Sequence, residues 1–127
     1  MPNVARKDGV DAVNTGHGCD TQTGTNTGSG DVFVNNIGVV RKNDVTQSHG
    51  YPTVILVFVP DEEPPEDPPP DYIGGTYVEE IVCNPHTVPL TTYSPNVFAN
   101  NLNIGRLGDS YSGEVLVSGS PNVFANS

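Results

Sequence analysis

Five side chains of the kind that bind transition metals lie along this chain of 127 residues. They include every histidine and cysteine in the sequence: His17, Cys19, His49, Cys83 and His86. Zn²⁺ takes imidazole nitrogen and thiolate sulfur in a tetrahedral arrangement, and structural zinc sites use four protein ligands. The residue types therefore predict one structural metal site with three histidines and one cysteine, either Cys19 or Cys83. Zinc is the expected ion, and iron is the alternative.

The local spacings suggest how these side chains reach one ion. His17 and Cys19 are two residues apart, and on an extended strand such residues point to the same face. The sequence Cys-Asn-Pro-His at 83–86 indicates a turn-like knuckle, and knuckles of this length commonly chelate a metal ion. Other interpretations stay open: His49 could end a turn, His86 could be an exposed loop residue, and the cysteines could form a disulfide or two buried thiols.

An internal repeat marks the elements that must position these residues. Residues 29–44 and 94–109 are near copies, and a third copy is divided between 120–127 and 3–8. Such self-similarity indicates supersecondary units that bury their apolar faces against one another. We expect a single domain, 1–127, that closes into a pseudo-threefold ring, and a linear β-solenoid is the alternative.

The candidate ligands all fall in the segments between the repeats. In a threefold ring these segments emerge at equivalent positions, so they can converge near the axis at one end. The segment at 110–119 is expected to supply no ligand. The aspartates of the repeated turns, Asp8, Asp44 and Asp109, are expected to cap backbone groups rather than to do chemistry.

The composition predicts an all-β fold. The 14 glycines and 12 prolines disfavour helices, and no stretch carries apolar residues at helical spacing over three turns. Runs rich in β-branched and aromatic residues predict strands at 32–34, 53–59, 76–82 and 114–117.

A long insertion at about 51–82 separates two of the repeats. Its flanks, 51–59 and 72–82, predict two strands that pair as a hairpin. Its centre, 59–71, consists almost entirely of proline and acidic residues. Because proline removes backbone donors and like charges repel, we expect a solvated loop there, with contact to a neighbouring protein as the alternative.

Charge and missing motifs exclude several classes of function. The formal net charge of −10 argues against nucleic-acid binding. The longest apolar run, 53–59, is far shorter than the roughly 20 residues that span a bilayer, and the first residues contain no apolar signal segment. No nucleophile elbow or phosphate loop is present, so we expect no enzyme. A small metallohydrolase is the alternative, and it would need an open metal position and a nearby base.

Several short sequence motifs together resemble those of a known family. They are residues 1–6, Thr-Gly-His-Gly-Cys at 15–19, Ser-Pro-Asn-Val-Phe-Ala-Asn at 94–100 and 120–126, and Gly-Arg-Leu-Gly-Asp at 105–109. They resemble PAAR-repeat proteins, the conical tips of contractile phage tails and type VI secretion spikes. The Pro-Ala-Ala-Arg motif of that family is altered in this chain, and only its arginine is kept. The resemblance implies that His17, His49 and His86 bind the metal. Family members often carry a cysteine where this chain has residues 110–113, so the fourth ligand would be one of the two cysteines.

The resemblance also implies a function and a partner. One chain would cap a trimeric β-helical tail spike, one tip per trimer, in the virion at the end of the baseplate. A metal near the apex would stiffen the point, which would touch the bacterial outer membrane transiently during puncture. Because the family-like residues reach both ends of the sequence without an appended toxin domain, a phage tail is expected. The alternative is a secretion tip that recruits effectors through its acidic hairpin.

The resemblance further implies a flat base that docks by extending the β-structure of the trimer. The strands at 32–34, 97–99 and 123–125 would form this base. Their aromatic residues, Phe33, Phe98 and Phe124, are expected in the core of the cone rather than at the interface.

Overall fold

A computed structural model describes residues 1–63 and 65–125, so the last two residues of the third repeat and one residue of the acidic stretch lie outside it. Within these residues the chain forms ten strands and no helix, which confirms the all-β prediction. The strands are β1 Ala12–Asn14, β2 Gln22–Gly24, β3 Phe33–Val34, β4 Ile37–Gly38, β5 His49–Pro60, β6 Gly75–His86, β7 Phe98–Ala99, β8 Leu102–Asn103, β9 Ser110–Tyr111 and β10 Glu114–Leu116. The described part of the chain thus has no helix that could cross a membrane.

The strands form one four-stranded sheet and three separate hairpins. The sheet has the order β2-β1-β10-β9, with every neighbouring pair antiparallel. The hairpins are β3 with β4, β5 with β6, and β7 with β8. The first and last of these belong to the two complete repeats, and the middle hairpin is the insertion.

A ring of backbone hydrogen bonds joins one segment from each repeat. Ala5 N donates to Gly105 O at 3.0 Å, Gly105 N to Val40 O at 2.8 Å, and Val40 N to Ala5 O at 3.0 Å. A Cβ atom on Gly105 would lie 2.8 Å from Leu90 Cδ2, so a side chain at this member of the ring would force Leu90 to shift. The ring closes with the same contact made three times.

A second backbone contact also recurs once in each repeat. In each repeat, a serine N donates to the carbonyl oxygen of the residue that precedes the ring residue in sequence. The three bonds, each 2.8 Å long, run from Ser29 to Val39, from Ser94 to Ile104 and from Ser120 to Val4. The last of these bonds joins the two ends of the chain, so the third member of the ring is made from both.

The ring lies between two apolar clusters. The first contains Val4, Val39, Ala99, Ile104 and Ala125, all buried. The second contains Ala5, Val13, Val40, Leu90, Tyr111 and Leu116, again buried. Successive residues such as Val39 and Val40 face opposite sides of an extended segment. The repeat hairpins therefore pack on one side of the ring, and β1, β9 and β10 pack on the other.

Two asparagines make the turn of each complete repeat hairpin. Asn35 and Asn36 have φ values of 54° and 65°, and Asn100 and Asn101 have φ values of 53° and 64°. Positive φ at both central residues defines the two-residue turn that matches the twist of antiparallel strands, and asparagine tolerates it well. The Asn-Asn pair thus sets the register of each hairpin.

The three repeated phenylalanines are not in the core, so that expectation is wrong. Phe33 and Phe98 are each 56% exposed and Phe124 is 48% exposed. Side chains alternate across a strand, and the next residue in two of the copies, Ala99 or Ala125, is the buried one. The phenylalanines therefore form an outward-facing set, one from each repeat.

The insertion hairpin is longer than the sequence suggested. β5 and β6 pair in register from His49 opposite His86 to Pro60 opposite Gly75. The second strand begins at Gly75 and not at residue 72, because Gly74 adopts a φ of +87° that breaks the extended path. It also continues to His86, so residues 83–86 are a strand and the predicted knuckle is wrong.

The capping aspartate beside Arg6 is Asp11 and not Asp8, so the expectation for Asp8 is wrong. Asp44 Oδ2 accepts a hydrogen bond from Arg41 N, and Asp109 Oδ2 accepts one from Arg106 N, each at 2.8 Å. In the first copy the equivalent acceptor is Asp11, at 2.7 Å from Arg6 N, while Asp8 is exposed with a φ of 60°. Asp44 and Asp109 do cap backbone groups, as expected.

Candidate metal centre

The three histidines meet at the base of the insertion hairpin. His49 is the first residue of β5 and His86 is the last residue of β6, so the register places them directly opposite each other. His17 comes from the loop between β1 and β2, and its ring centroid lies 5.4 Å from those of both other histidines. The prediction that the histidines converge is therefore correct.

Glu114, the first residue of β10, completes the cluster. Its Oε2 atom lies 3.1 Å from His17 Nε2 and 2.9 Å from His86 Nε2, and its Oε1 lies 2.9 Å from His49 Nε2. One potential ligand atom from each of the four side chains lies within 4.8 Å of the others. A cluster of three imidazoles and one carboxylate with this spacing could hold a metal ion.

The hydrogen bonds of two rings direct a nitrogen lone pair at Glu114. His17 Nδ1 lies 2.8 Å from Gly18 O, and His49 Nδ1 lies 2.8 Å from Gln47 O. A carbonyl oxygen only accepts, so each Nδ1 carries the proton and each neutral ring leaves its Nε2 as an acceptor. Backbone carbonyls fix the tautomer of metal-ligating histidines in this way.

A cation is the simplest partner for these facing acceptors. The Glu114 carboxylate also only accepts hydrogen bonds when ionised, so in the neutral form of the two rings it faces two Nε2 lone pairs. The rings of His49 and His86 lie close together, with centroids 4.4 Å apart. Glu114 Oε1 is buried and accepts no well-oriented hydrogen bond from the described residues. A metal ion between the rings and the carboxylate would satisfy every one of these atoms.

The surroundings of the cluster hold the His17 loop in place. Thr15, which is buried, donates from Oγ1 to Asp20 O at 2.6 Å and closes the loop on itself. Asp20 Oδ2 then accepts from Gly50 N at 2.6 Å, which ties the loop to β5. Tyr51 lies over the cluster, with its ring 5.0 Å from that of His17. It shares a face of β5 with His49, two residues before it.

The two cysteines are joined to each other, so the expectation of a cysteine ligand is wrong. Cys19 and Cys83 form a disulfide, and a disulfide sulfur offers no thiolate to a metal. Strand parity explains why Cys83 is separated from the histidines: it is three residues from His86 and so points to the opposite face of β6. Cys19 has a φ of 70°, so residues 17–19 are not the extended strand that the spacing suggested.

Glu114 is the candidate ligand that the sequence interpretation missed. The sequence interpretation predicts no ligand in the segment 110–119, because that segment contains no histidine or cysteine. A signal was nevertheless present. Each of the other two segments between repeats supplies histidine, and Glu114 is the only ionisable carboxylate or imidazole between 110 and 119. In a threefold arrangement this segment emerges at a position equivalent to the other two, which makes Glu114 a candidate.

No protein-family model and no curated protein matches this sequence.

Proposed function

We propose that this chain is a metal-stabilised tip that caps a trimeric spike of a contractile injection machine, most simply a phage tail. The observation that carries the proposal is the backbone ring, in which one chain presents the same contacts three times. Such a ring matches a threefold partner while itself ending in a single apex. The resemblance of the repeats to PAAR-repeat proteins supports the same role.

The exposed phenylalanines supply a docking surface on one side of the ring. Phe33, Phe98 and Phe124 come from equivalent positions, so each would meet an equivalent site on one subunit of the trimer. One tip would then dock on each spike, by contacts that extend the β-structure of a β-helical trimer. This tip would lie in the virion at the end of the baseplate spike.

The metal cluster lies with the elements packed on the other side of the ring, where an apex is expected. Four protein ligands fill the tetrahedral coordination of Zn²⁺, so the site is proposed as structural and not catalytic. Zinc is proposed over iron because three imidazoles and one carboxylate suit its borderline character. By joining three separate segments, the ion would stiffen the point that meets the bacterial outer membrane.

The metal is tested first by elemental mass spectrometry of protein purified without added metal or chelator. We expect one zinc per chain, and a chelator should lower the melting temperature sharply because metal binding contributes to folding. Glu114→Gln should weaken zinc binding about a hundredfold in chelator competition, since it replaces an anionic ligand by a neutral amide.

Glu79→Gln is the matched control, because it makes the same change at an exposed position of β6. Its zinc affinity should equal that of the natural protein. Iron in place of zinc would correct the identity of the metal. Protein without metal, or equal effects of the two substitutions, would contradict the proposed centre.

Docking is tested by native mass spectrometry with the trimeric spike protein of the same machine. We expect one chain per trimer, and Phe33→Asp should abolish the complex because a charge would be buried in an apolar contact. Val117→Asp is the control, since Val117 is 44% exposed and lies outside the repeats. Binding that survives Phe33→Asp, or that is lost equally with Val117→Asp, would contradict the proposed surface.

A further inference from the structure

The insertion hairpin is a long two-stranded ribbon with little cover. Each strand has 12 residues, which is about 40 Å of extended chain. Among the described residues no third strand pairs with either edge. A lone two-stranded hairpin is marginally stable in water. This ribbon is tied at its base by the disulfide, and its outer part is available for a partner.

Both faces of the hairpin carry exposed apolar side chains. On the face of Cys83, Leu56 is 67% exposed and Ile81 is 70% exposed, while Phe58 and Tyr77 make an edge-to-face pair across the strands. On the opposite face Val78 is 40% exposed. Apolar surface of this extent, rimmed by charge, marks an interaction site.

The two edges of the ribbon differ in how well they are protected. β5 contains Pro52 and Pro60, and proline at a strand edge removes donors and blocks further pairing. β6 contains Pro85 near its base but no proline over the ten residues from Gly75 to Asn84, whereas the longest such run in β5 is the seven residues 53–59. Its outer edge therefore presents an unbroken row of backbone groups, and the charges of Glu79 and Glu80 are its only protection.

The charges select the kind of partner. Eight of the chain's 15 acidic residues lie between 49 and 86, and no lysine or arginine does. Glu79 lies opposite Leu56 and Glu80 opposite Ile55, so one carboxylate projects from each face at the middle of β6. A bilayer is a poor partner, because lipid would leave the edge groups unpaired and its headgroups are commonly anionic.

We propose that the outer edge of β6 docks an extended strand of a partner protein that places lysine or arginine beside Glu79 and Glu80 and apolar residues on either side of them. Backbone pairing supplies affinity, and the two charge pairs fix the register of the added strand. The acidic stretch beyond the hairpin attracts the same basic partner at longer range. This inference goes beyond the tip proposal and stands independently of the metal.

Synthetic peptides provide the test with the full chain. One labelled peptide has nine residues of alternating valine and threonine with two adjacent lysines at its centre, and a second carries two glutamates instead. Fluorescence anisotropy should show that the natural protein prefers the lysine peptide. The double variant Glu79→Lys/Glu80→Lys should reverse the preference, with a change of about tenfold or more in the ratio of affinities.

The double variant Glu62→Lys/Glu63→Lys is the matched control, because it changes the net charge equally but within the acidic stretch. It should keep the preference of the natural protein. Amide chemical-shift changes on adding the lysine peptide should fall on 76–82 rather than on 53–59. Absence of binding, an equal reversal by both double variants, or co-sedimentation with phosphatidylcholine vesicles in place of peptide binding would overturn the proposal.

Discussion

The identity of single residues decides the chemistry of the cluster. A carboxylate at 114 would let three neutral imidazoles share one cation, and the backbone carbonyls of Gly18 and Gln47 fix which nitrogen of two rings is available. Histidine could be recognised as a candidate ligand from the sequence, because the chain has only three and all lie in the segments between the repeats. Glutamate could not, because 15 acidic residues are present and most are solvated.

Tyr111 is a second residue whose environment is determined by packing. Its side chain is fully buried, and the described residues offer no hydrogen-bond partner to its hydroxyl. Burial raises the pKa of Tyr111, and the nearby charges of Asp44 and Asp11 raise it further. Burying an unpaired hydroxyl carries a cost in stability that phenylalanine at this position would not.

Tyr111→Phe should therefore raise the free energy of unfolding by about 1 kcal/mol at about pH 8. As the pH rises above about 10, the unfolded chain releases the phenol proton while the folded chain keeps it, so the natural protein loses stability that the variant retains. Urea unfolding at about pH 8 and about pH 11 measures both effects.

Tyr111→Leu serves as the control for packing, since it removes the hydroxyl and also leaves a cavity, and it should lower stability. The other tyrosines are common to all variants, so their titration cancels. A Tyr111→Phe variant that is less stable than the natural protein would show that the hydroxyl has a partner.

At the scale of elements, the disulfide and the candidate metal cluster link nearly the same two segments of the chain. Cys19 lies two residues from His17 and Cys83 lies three residues from His86, so both links join the β1–β2 loop to the end of β6. They do so from opposite faces of the hairpin. Two links in parallel should compensate for each other, because either one restricts the unfolded chain in much the same way.

Replacing both cysteines, as Cys19→Ser/Cys83→Ser, should cost about 4 kcal/mol in chelated protein, given the 64-residue separation. In metal-loaded protein the same replacement should cost clearly less, since the ion already holds the two segments together. Urea unfolding in both states gives the comparison.

Both cysteines are exposed, so a reductant should reach the disulfide in the folded protein. Reduced natural protein should then unfold like the double variant and acts as its control. Equal costs with and without metal would show that the two links act on separate parts of the structure.

At the scale of the whole molecule, an arginine–aspartate pair recurs in each repeat. Arg6 with Asp11, Arg41 with Asp44, and Arg106 with Asp109 all have Nε to Oδ2 distances of 3.0 Å. Among the described residues, Arg6 also donates to Asn35 and Arg41 to Asn100, and each of these asparagines lies in the hairpin turn of another repeat. These pairs link the turns of one repeat to the hairpin of the next.

Removing the charge from each aspartate should therefore have nearly the same effect. Asp11→Asn, Asp44→Asn and Asp109→Asn should each lower the free energy of unfolding by about 2 kcal/mol, since each weakens several charge-assisted hydrogen bonds. Asp8→Asn is the control and should change stability by less than about 0.5 kcal/mol, because Asp8 is exposed. A harmless Asp11→Asn, or a costly Asp8→Asn, would contradict the equivalence of the three turns.

The sequence alone determined the features that local patterns carry. The alternation of β-branched residues and the many glycines and prolines established an all-β chain, and the rarity of histidine identified three of the four residues of the cluster. The hairpin of the insertion was also predicted, with strand ends that were wrong by a few residues. These properties depend on residue type and short spacing, which are visible without a fold.

Only the tertiary structure decided which side chains meet. The pairing register of β5 and β6 brought His49 and His86 together and turned Cys83 to the other face, so the cysteines formed a disulfide instead of binding metal. The same alternation turned Phe98 outward and Ala99 inward. The turn after Arg6 is two residues longer than the turns after Arg41 and Arg106, so Asp11 and not Asp8 accepts the hydrogen bond from the arginine N. A shift of one residue along a strand reverses the direction of its side chain, and only long-range packing fixes that shift.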